Sequence, residues 1–151
     1  EKNLEFTPLF TAKPHVFISR ENPLASQSSI TLEELEDYPY LSYEQGEENS
    51  FYFAEEILST MEHKKSIKVS VRATIFNLMV GLNGYTISSG IISSELNDDK
   101  IVAIPLAIED ELEIGYLKHH QMELSPVAHI FLELLITHIR GYGFEVATVL
   151  E

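Results

Sequence analysis

The chain has 151 residues, no cysteine, and 24 acidic against 10 basic residues, which gives a formal net charge of −14 at pH 7. This length suits one domain with a real core, and 44% hydrophobic with 23% charged residues is ordinary for a soluble globular protein. The composition excludes disulfide frameworks and thiolate metal sites, and the acidic balance opposes direct DNA binding, because phosphate contacts need a basic face.

Two extended segments open the chain. They cover residues 4–10 and 16–18 and meet at Ala12-Lys13-Pro14. Since Pro14 favours an extended residue before it and cannot donate to a sheet, this join is predicted to be a crossing between lobes. Thr31 and Glu34 then match a capping box, so a short helix is predicted to begin there.

The middle of the chain alternates strand and helix patterns. Residues 40–43 read as a strand, residues 44–50 as a polar loop, and residues 51–61 as an amphipathic helix. The next strand pattern covers residues 67–71. The only basic cluster is His63-Lys64-Lys65 with Lys68, and it is interpreted as a helix C-terminus followed by a solvated loop.

Residues 66–90 are predicted to form one βαβ unit. The strand pattern is followed by a helix that starts at residues 72–74 and carries its apolar residues over 75–82, by the stop signal Asn83-Gly84, and by a strand over residues 85–88. Parallel strands joined by a helix require a crossover connection, which is nearly always right-handed. The predicted fold is therefore α/β, with a mainly parallel sheet flanked by helices.

The last third adds two strands and a long helix. Strands are predicted over residues 101–104 and 112–117, and Ser125 with Pro126 marks the start of the helix. A short β-prone tail follows from residue 144. The apolar face of the helix is predicted to consist of Val127, Ile130, Phe131, Leu134 and Leu135, with Ile139 beyond.

Candidate binding residues cluster where parallel strands end. The carboxyl ends of such strands share one edge of a sheet, and helix N-termini there offer free N–H groups and partial positive charge. Arg72 at this edge is expected either to hold a carboxylate or to pair with a surface Glu, and Thr74 either to contact a ligand or to cap its own helix. The candidate binding residues are Tyr43, Gln45, Gly46, Asn49, Ser70, Arg72, Thr74, Ser88 and Ser89.

No catalytic or metal-binding constellation is evident. His129 and Glu133 have ligand-like spacing on the long helix, but no third ligand accompanies them. Paired acids at Glu47-Glu48, Glu55-Glu56 and Asp98-Asp99 are better explained as solvated charge than as acid/base pairs. We therefore expect no metal, no cofactor and no enzymatic activity, and an α/β enzyme acting on a sugar or amine is the alternative.

The order of several short motifs resembles a known family. Asn22-Pro23-Leu24-Ala25, the segment 30–35, the helix and glycine turn at 74–84, and Leu124-Ser125-Pro126-Val127-Ala128 are similar to the effector-binding domain of LysR-type transcriptional regulators. Two features depart from the family pattern. Asn22 stands where the family usually has His, and the family's paired glycines are reduced to Gly84 with Gly81 shifted.

This resemblance implies a fold like type II periplasmic binding proteins, with two α/β lobes and a ligand cleft between them. Residues 14–106 would be one complete lobe, and residues 1–13 and 107–151 would be parts of the second lobe and a tail. The chain would cross between the lobes at hinge positions. The hinge residues implied by the resemblance are Thr11, Lys13 and Ala107.

The expected function is effector sensing without catalysis. A small metabolite, expected to be a carboxylate or phosphate, would control DNA binding by a helix-turn-helix domain that this chain lacks. A solute-binding protein of the transport type is disfavoured, because no signal-peptide pattern is present. The expected location is the cytoplasm. We expect at least a dimer, because the flanking residues would expose apolar faces.

Overall fold

The computed structural model describes residues 3–43, 63–93 and 99–146. The predicted helix over residues 51–61 therefore lies outside the described residues. Within the described part, the chain forms β1 (Leu4–Ala12), β2 (His15–Ser19), a 3-10 helix (Pro23–Ser26), α1 (Leu32–Leu35), β3 (Tyr40–Tyr43), β4 (Ser66–Val69), α2 (Arg72–Leu82), β5 (Tyr85–Ser88), β6 (Ile101–Pro105), β7 (Leu112–His119) and α3 (Pro126–Gly141).

The chain divides into two compact units. One unit is the continuous segment Lys13–Asp110, which we call the central unit, and the other combines Glu1–Ala12 with Glu111–Glu151, which we call the flanking unit. The roles of these units as lobes of a binding protein remain a prediction.

The central unit contains a five-stranded sheet in the order β4-β3-β5-β2-β6. β3 pairs in parallel with β4 and β5, whereas β2 runs antiparallel to both β5 and β6. The sheet is thus mixed, which corrects the prediction of a mainly parallel sheet. A hydrophobic pattern reports which face of a strand is buried but not the direction in which the strand runs.

The predicted βαβ unit is present. β4, α2 and β5 follow one another, and β3 lies between the two strands in the sheet. β4 ends at Val69, two residues before the predicted end. Helix α2 begins at Arg72, within the predicted start at residues 72–74, and its C-cap residue is Asn83, which has the left-handed φ of 54°. Asn tolerates this conformation better than most residues, so the predicted stop signal is confirmed.

Helices α1 and α2 cover opposite faces of the sheet, because successive strand residues point to opposite sides. On one face, Leu35 of α1 packs with the alternate residues Val16, Ile18, Tyr40, Tyr85 and Ile87. On the other face, the two buried residues of α2 pack with the strand residues between them: Ile75, Met79, Phe17, Leu41 and Ile101. The central unit therefore has two apolar layers that share one sheet.

The predicted capping residues mark the starts of α1 and α3. Thr31 Oγ1 accepts a hydrogen bond from Glu34 N, and the Glu34 carboxylate accepts one from Thr31 N, which completes the predicted capping box. The hydrogen bonds that the Glu34 carboxylate accepts from Thr31 N and from the Gln27 side chain lower the pKa of Glu34. Ser125 Oγ likewise accepts a hydrogen bond from Ala128 N at the start of α3.

The flanking unit pairs β1 with β7 in an antiparallel two-stranded sheet, with an irregularity between Pro8 and Phe10. The buried residues of α3 are Leu132, Ile136 and Ile139, whereas most of the predicted apolar face is exposed. The helix carries apolar residues nearly all the way round, so periodicity cannot choose the packed face. The exposed residues of the predicted face are Val127, Ile130, Phe131 and Leu134.

Two further observations complete the fold. Residues 144–146 are not in a strand, so this part of the predicted β-prone tail is not confirmed. Among the helices of the described residues, none is long and apolar enough to cross a membrane.

Candidate ligand-binding edge of the central sheet

One edge of the central sheet collects the ends of β3, β4, β5 and β6, which run in the same direction, and the start of β2. Tyr43 lies opposite Val69, so β3 and β4 end together. His15, the first residue of β2, lies opposite Ser88 of β5 and Pro105 of β6. We call this edge the carboxyl edge. As predicted, the segments containing Tyr43, Ser70 and Ser88 lie at the same side of the sheet.

Helix α2 begins at this edge. Its N-cap residue is Val71, which has no side chain able to accept a hydrogen bond from the first turn. Thr74 N donates to Val71 O at 3.0 Å, and the Thr74 hydroxyl forms no hydrogen bond within the described residues. Thr74 therefore does not cap its own helix, which removes one of the two predicted roles for its hydroxyl.

Ser70, Ser88 and Ser89 supply three further hydroxyl groups. Ser70 is exposed, and Ser88 and Ser89 are half-buried at the end of β5. In the described part of the chain, no hydrogen bond is formed by any of these side chains. Hydroxyl groups both donate and accept, so they suit a polar ligand whose hydrogen-bonding groups are mixed.

Sequence reasoning missed His15 as a candidate. Its Nδ1 lies 2.8 Å from the carbonyl oxygen of Lys13. Its ring also lies against the backbone of Gly90, where a Cβ would be only 2.7 Å from Nδ1. Besides this close contact, Gly90 has a φ of +84°, which is a left-handed conformation that residues other than glycine rarely adopt. Only the antiparallel register reveals that His15 lies beside Ser88, and this register is not readable from local sequence.

The remaining predicted site residues are placed as follows. Arg72 is the first residue of α2, and its side chain is not described. Thr11 lies in β1 opposite Glu113, and Ala107 N donates to Ile30 O at 2.8 Å. Lys13 is an exposed residue between β1 and β2. The hinge and binding roles of these residues stay predictions, and Gln45, Gly46 and Asn49 lie outside the described residues.

The basic cluster lies at the opposite edge. The half-buried His63 stacks on Tyr40 with ring centroids 4.0 Å apart, and its Nδ1 lies 3.2 Å from the hydroxyl of Tyr85. Burial raises the pKa of Tyr85 to about 12. Lys64 pairs with the Glu36 carboxylate, and Lys65 Nζ donates to the Asp37 carbonyl oxygen at 2.7 Å. Both lysines therefore interact with acidic residues of the same chain. His63 is less exposed to solvent than the predicted solvated loop would make it.

The described residues contain no group of three or more His, Cys, Asp or Glu able to hold a metal ion. His129 and Glu133 both lie on α3, as their spacing predicted.

A family model matches most of this chain, and several solved structures are similar to it. The family model described as "LysR substrate binding domain" matches residues 1–140. HinK, a LysR family transcriptional regulator from Pseudomonas aeruginosa, is similar with a TM-score of 0.67 and 16% identity, over 92% of this chain and 49% of HinK. This chain thus spans about half the length of HinK. No curated protein matches the chain.

Two similar structures contain small molecules. The effector-binding domain of QuiR in complex with shikimate has a TM-score of 0.62 and 19% identity, over 91% of this chain and 66% of that one. The regulatory domain of CcmR from Synechocystis PCC6803 in complex with 2-PG has a TM-score of 0.61 and 18% identity, over 90% and 67% of the two chains. At such identities, the likeness shows a shared fold.

Proposed function

Since the chain belongs to the LysR substrate-binding domain family, we propose that it senses a small anionic metabolite and thereby controls DNA binding by a helix-turn-helix domain of the regulator. Residues 14–106 are proposed to form its complete effector-domain lobe. The hinge is proposed to lie at Thr11, Lys13 and Ala107.

The carboxyl edge of the central sheet is the proposed effector site. The observation that carries this proposal is the set of hydroxyl groups of Ser70, Thr74, Ser88 and Ser89, which form no hydrogen bonds within the described residues. They lie where β4 and β5 end and α2 begins. Sites in α/β sheets are common at such edges, because loops and helix N-termini converge there.

Two observations favour an anionic effector. α2 begins at this edge without a side-chain cap, and helix N-termini attract negative charge through their N–H groups and dipole. The similar QuiR domain binds shikimate, which is a carboxylic acid, and the CcmR domain binds 2-PG. Arg72 and the loop residues Gln45, Gly46 and Asn49 are proposed to contribute to the same site.

The proposed role is non-catalytic, with no metal and no cofactor. The similar protein HinK is described as a transcriptional regulator, which supports this choice. Of the paired acids considered as catalytic groups, Asp99 is exposed, and its carbonyl accepts a hydrogen bond from Arg20 Nε at 2.7 Å. Glu47, Glu48 and Asp98 lie outside the described residues.

Thr74→Val is expected to weaken binding of a small acid about tenfold, because valine keeps the shape of threonine but removes its hydroxyl. Isothermal titration calorimetry with shikimate and 2-PG, on this protein and on the variant, measures the change. Thr137→Val is the control, since Thr137 is also a helical threonine but lies on α3. Gln45→Ala is expected to act like Thr74→Val. A change of less than about twofold in both variants would place the site elsewhere.

We further propose that the chain assembles at least as a dimer. Leu4, Phe6, Ile130 and Leu134 of the flanking unit are 42–66% exposed, and apolar groups exposed together favour association.

Leu134→Glu is expected to shift the assembly toward monomer, because it places a charge in a face that would be buried. Light scattering coupled to size exclusion measures the mass. Asn77→Glu adds the same charge to an exposed helical position of α2 in the central unit and serves as the control. A clean wild-type monomer at high concentration contradicts the proposal.

A further inference from the structure

We propose that α3 of one copy of the chain packs antiparallel against α3 of a second copy, with the two-fold axis of the dimer between Ile130 and Phe131. This inference rests on the dimer that is part of the proposed function, and it adds the interface and its geometry. It concerns the outer surface of α3, which the flanking unit does not use for its own packing.

The outer surface of α3 carries a stripe of exposed apolar residues. Val127, Ile130, Phe131 and Leu134 are 58–75% exposed. They follow the i, i+3, i+4, i+7 spacing of residues that share one face of a helix. The buried residues of α3 lie on the opposite side, so these four residues take no part in the packing of the flanking unit. We call them the outer stripe.

The outer stripe is large enough for a stable dimer. With about 150–200 Å² for a complete large apolar side chain, the four residues expose on the order of 450 Å² per copy. Two copies would bring together about 900 Å² of apolar surface, and with about 65% apolar area in a homodimer interface, the complete interface would bury on the order of 1,400 Å². This value lies within the range of about 1,200–2,000 Å² that specific interfaces bury.

Charge favours a second copy as the occupant of the outer stripe. The chain has a net charge of −14, so two copies repel each other unless their contact avoids acidic residues. The outer stripe contains no acidic residue. A basic partner would be attracted to the acidic surface rather than to this uncharged stripe. A surface that is apolar, uncharged and part of a strongly acidic chain is therefore best matched by its own copy.

The antiparallel direction follows from symmetry and from the helix dipole. A two-fold interface uses the same residues on both sides, so the outer stripe must be complementary to itself. With the axis between Ile130 and Phe131, each of these residues meets its own counterpart, and Val127 faces Leu134 of the second copy. All four side chains are then buried against apolar groups. Antiparallel helices also place opposite ends of their dipoles together.

The ends of the two helices agree with this direction. His138 and Arg140 lie in the last turn of α3, and the exposed Glu123 precedes its N-cap residue Ser125. In the antiparallel pair, these basic residues lie at the same end as Glu123 of the second copy. A parallel pair would instead place like charges together at each end.

Disulfide cross-linking tests this geometry, because the chain contains no cysteine of its own. The variants are Val127→Cys and Leu134→Cys, oxidised separately and as an equal mixture after exchange of reduced subunits. A disulfide needs Cα atoms about 4.4–6.8 Å apart. Residues 127 and 134 of opposite copies face each other, whereas two copies of residue 127 would lie seven residues apart along the axis, about 10 Å.

The mixture is expected to give about tenfold more disulfide-linked dimer than either variant alone, because the interface holds the two thiols at high effective concentration. Ile130→Cys, beside the axis, is expected to cross-link with itself. Leu134→Cys mixed with Asn77→Cys is the control for random collision, since Asn77 is exposed but lies on α2. Non-reducing gels measure the product, and far-UV circular dichroism checks folding of these exposed-site variants.

The possible failures are distinguishable. If light scattering shows the wild-type chain to be a monomer at high concentration, the proposed dimer is wrong and this inference falls with it. If the wild-type chain is a dimer but the mixture cross-links no better than the control, the outer stripe is not its interface. If Val127→Cys and Leu134→Cys each cross-link with themselves, the helices are parallel. In the last two cases the proposed dimer survives and the α3 geometry is overturned.

Discussion

Gly115→Ala is expected to destabilise the β1–β7 sheet by about 3 kcal/mol, at the upper end of the usual cost of overpacking. A Cβ on Gly115 would lie 2.1 Å from the backbone oxygen of Thr7 and 2.8 Å from the ring of Phe6. The Phe6 ring can rotate away, but the Thr7 oxygen belongs to the paired strand. The two strands must therefore separate locally, and hydrogen bonds of the sheet are lost.

Thermal and urea unfolding followed by circular dichroism measure this loss. Gly81→Ala is the matched control, because no described atom lies within 4 Å of a Cβ at residue 81 and the position is an exposed helical one. Alanine there should raise stability by roughly 0.5–1 kcal/mol, since glycine is a poor helix former. If Gly115→Ala unfolds at the same urea concentration as the wild type, the close approach of β1 to β7 is wrong.

Met79→Ala is expected to lower the free energy of unfolding of the central unit by about 3 kcal/mol, as large-to-small core substitutions do. Met79 is 0% exposed and packs with Phe17, Leu41 and Ile101 between α2 and the sheet. Removing most of its side chain leaves a cavity that the rigid sheet cannot fill. The same contacts hold α2 on the sheet, so this variant should also weaken effector binding.

Val80→Ala is the control, because Val80 is the next residue of the same helix but is 46% exposed. Its effect should stay within about 0.5 kcal/mol. Urea unfolding of both variants, measured with and without the bound acid, separates the two effects. Equal stabilities for Met79→Ala and Val80→Ala would show that α2 does not pack on the sheet through Met79.

The limits of sequence reasoning are clearest at the candidate site. Ser70, Thr74, Ser88 and Ser89 could be named from the sequence, because each follows or begins an element whose pattern is local. His15 could not, since its neighbours Ser88 and Gly90 are more than 70 residues away in the chain. The resemblance to LysR-type domains rested on ordered motifs, and the family model confirms it over residues 1–140.

The sequence by itself determined the features that depend on neighbours within a few residues. These are the capping box of Thr31 and Glu34, the start of α3 at Ser125, and the left-handed stop at Asn83. Each arises from hydrogen bonding or steric limits within one helical turn, so a short pattern contains the needed information.

Only the tertiary structure decided the direction of β2, the packed face of α3 and the position of His15. β2 has the same apolar pattern in either direction, yet it pairs antiparallel with β5 and β6. α3 is apolar on several sides, yet Leu132, Ile136 and Ile139 are its buried residues. In each case local patterns leave several arrangements nearly equal in free energy, and packing against distant segments selects one of them.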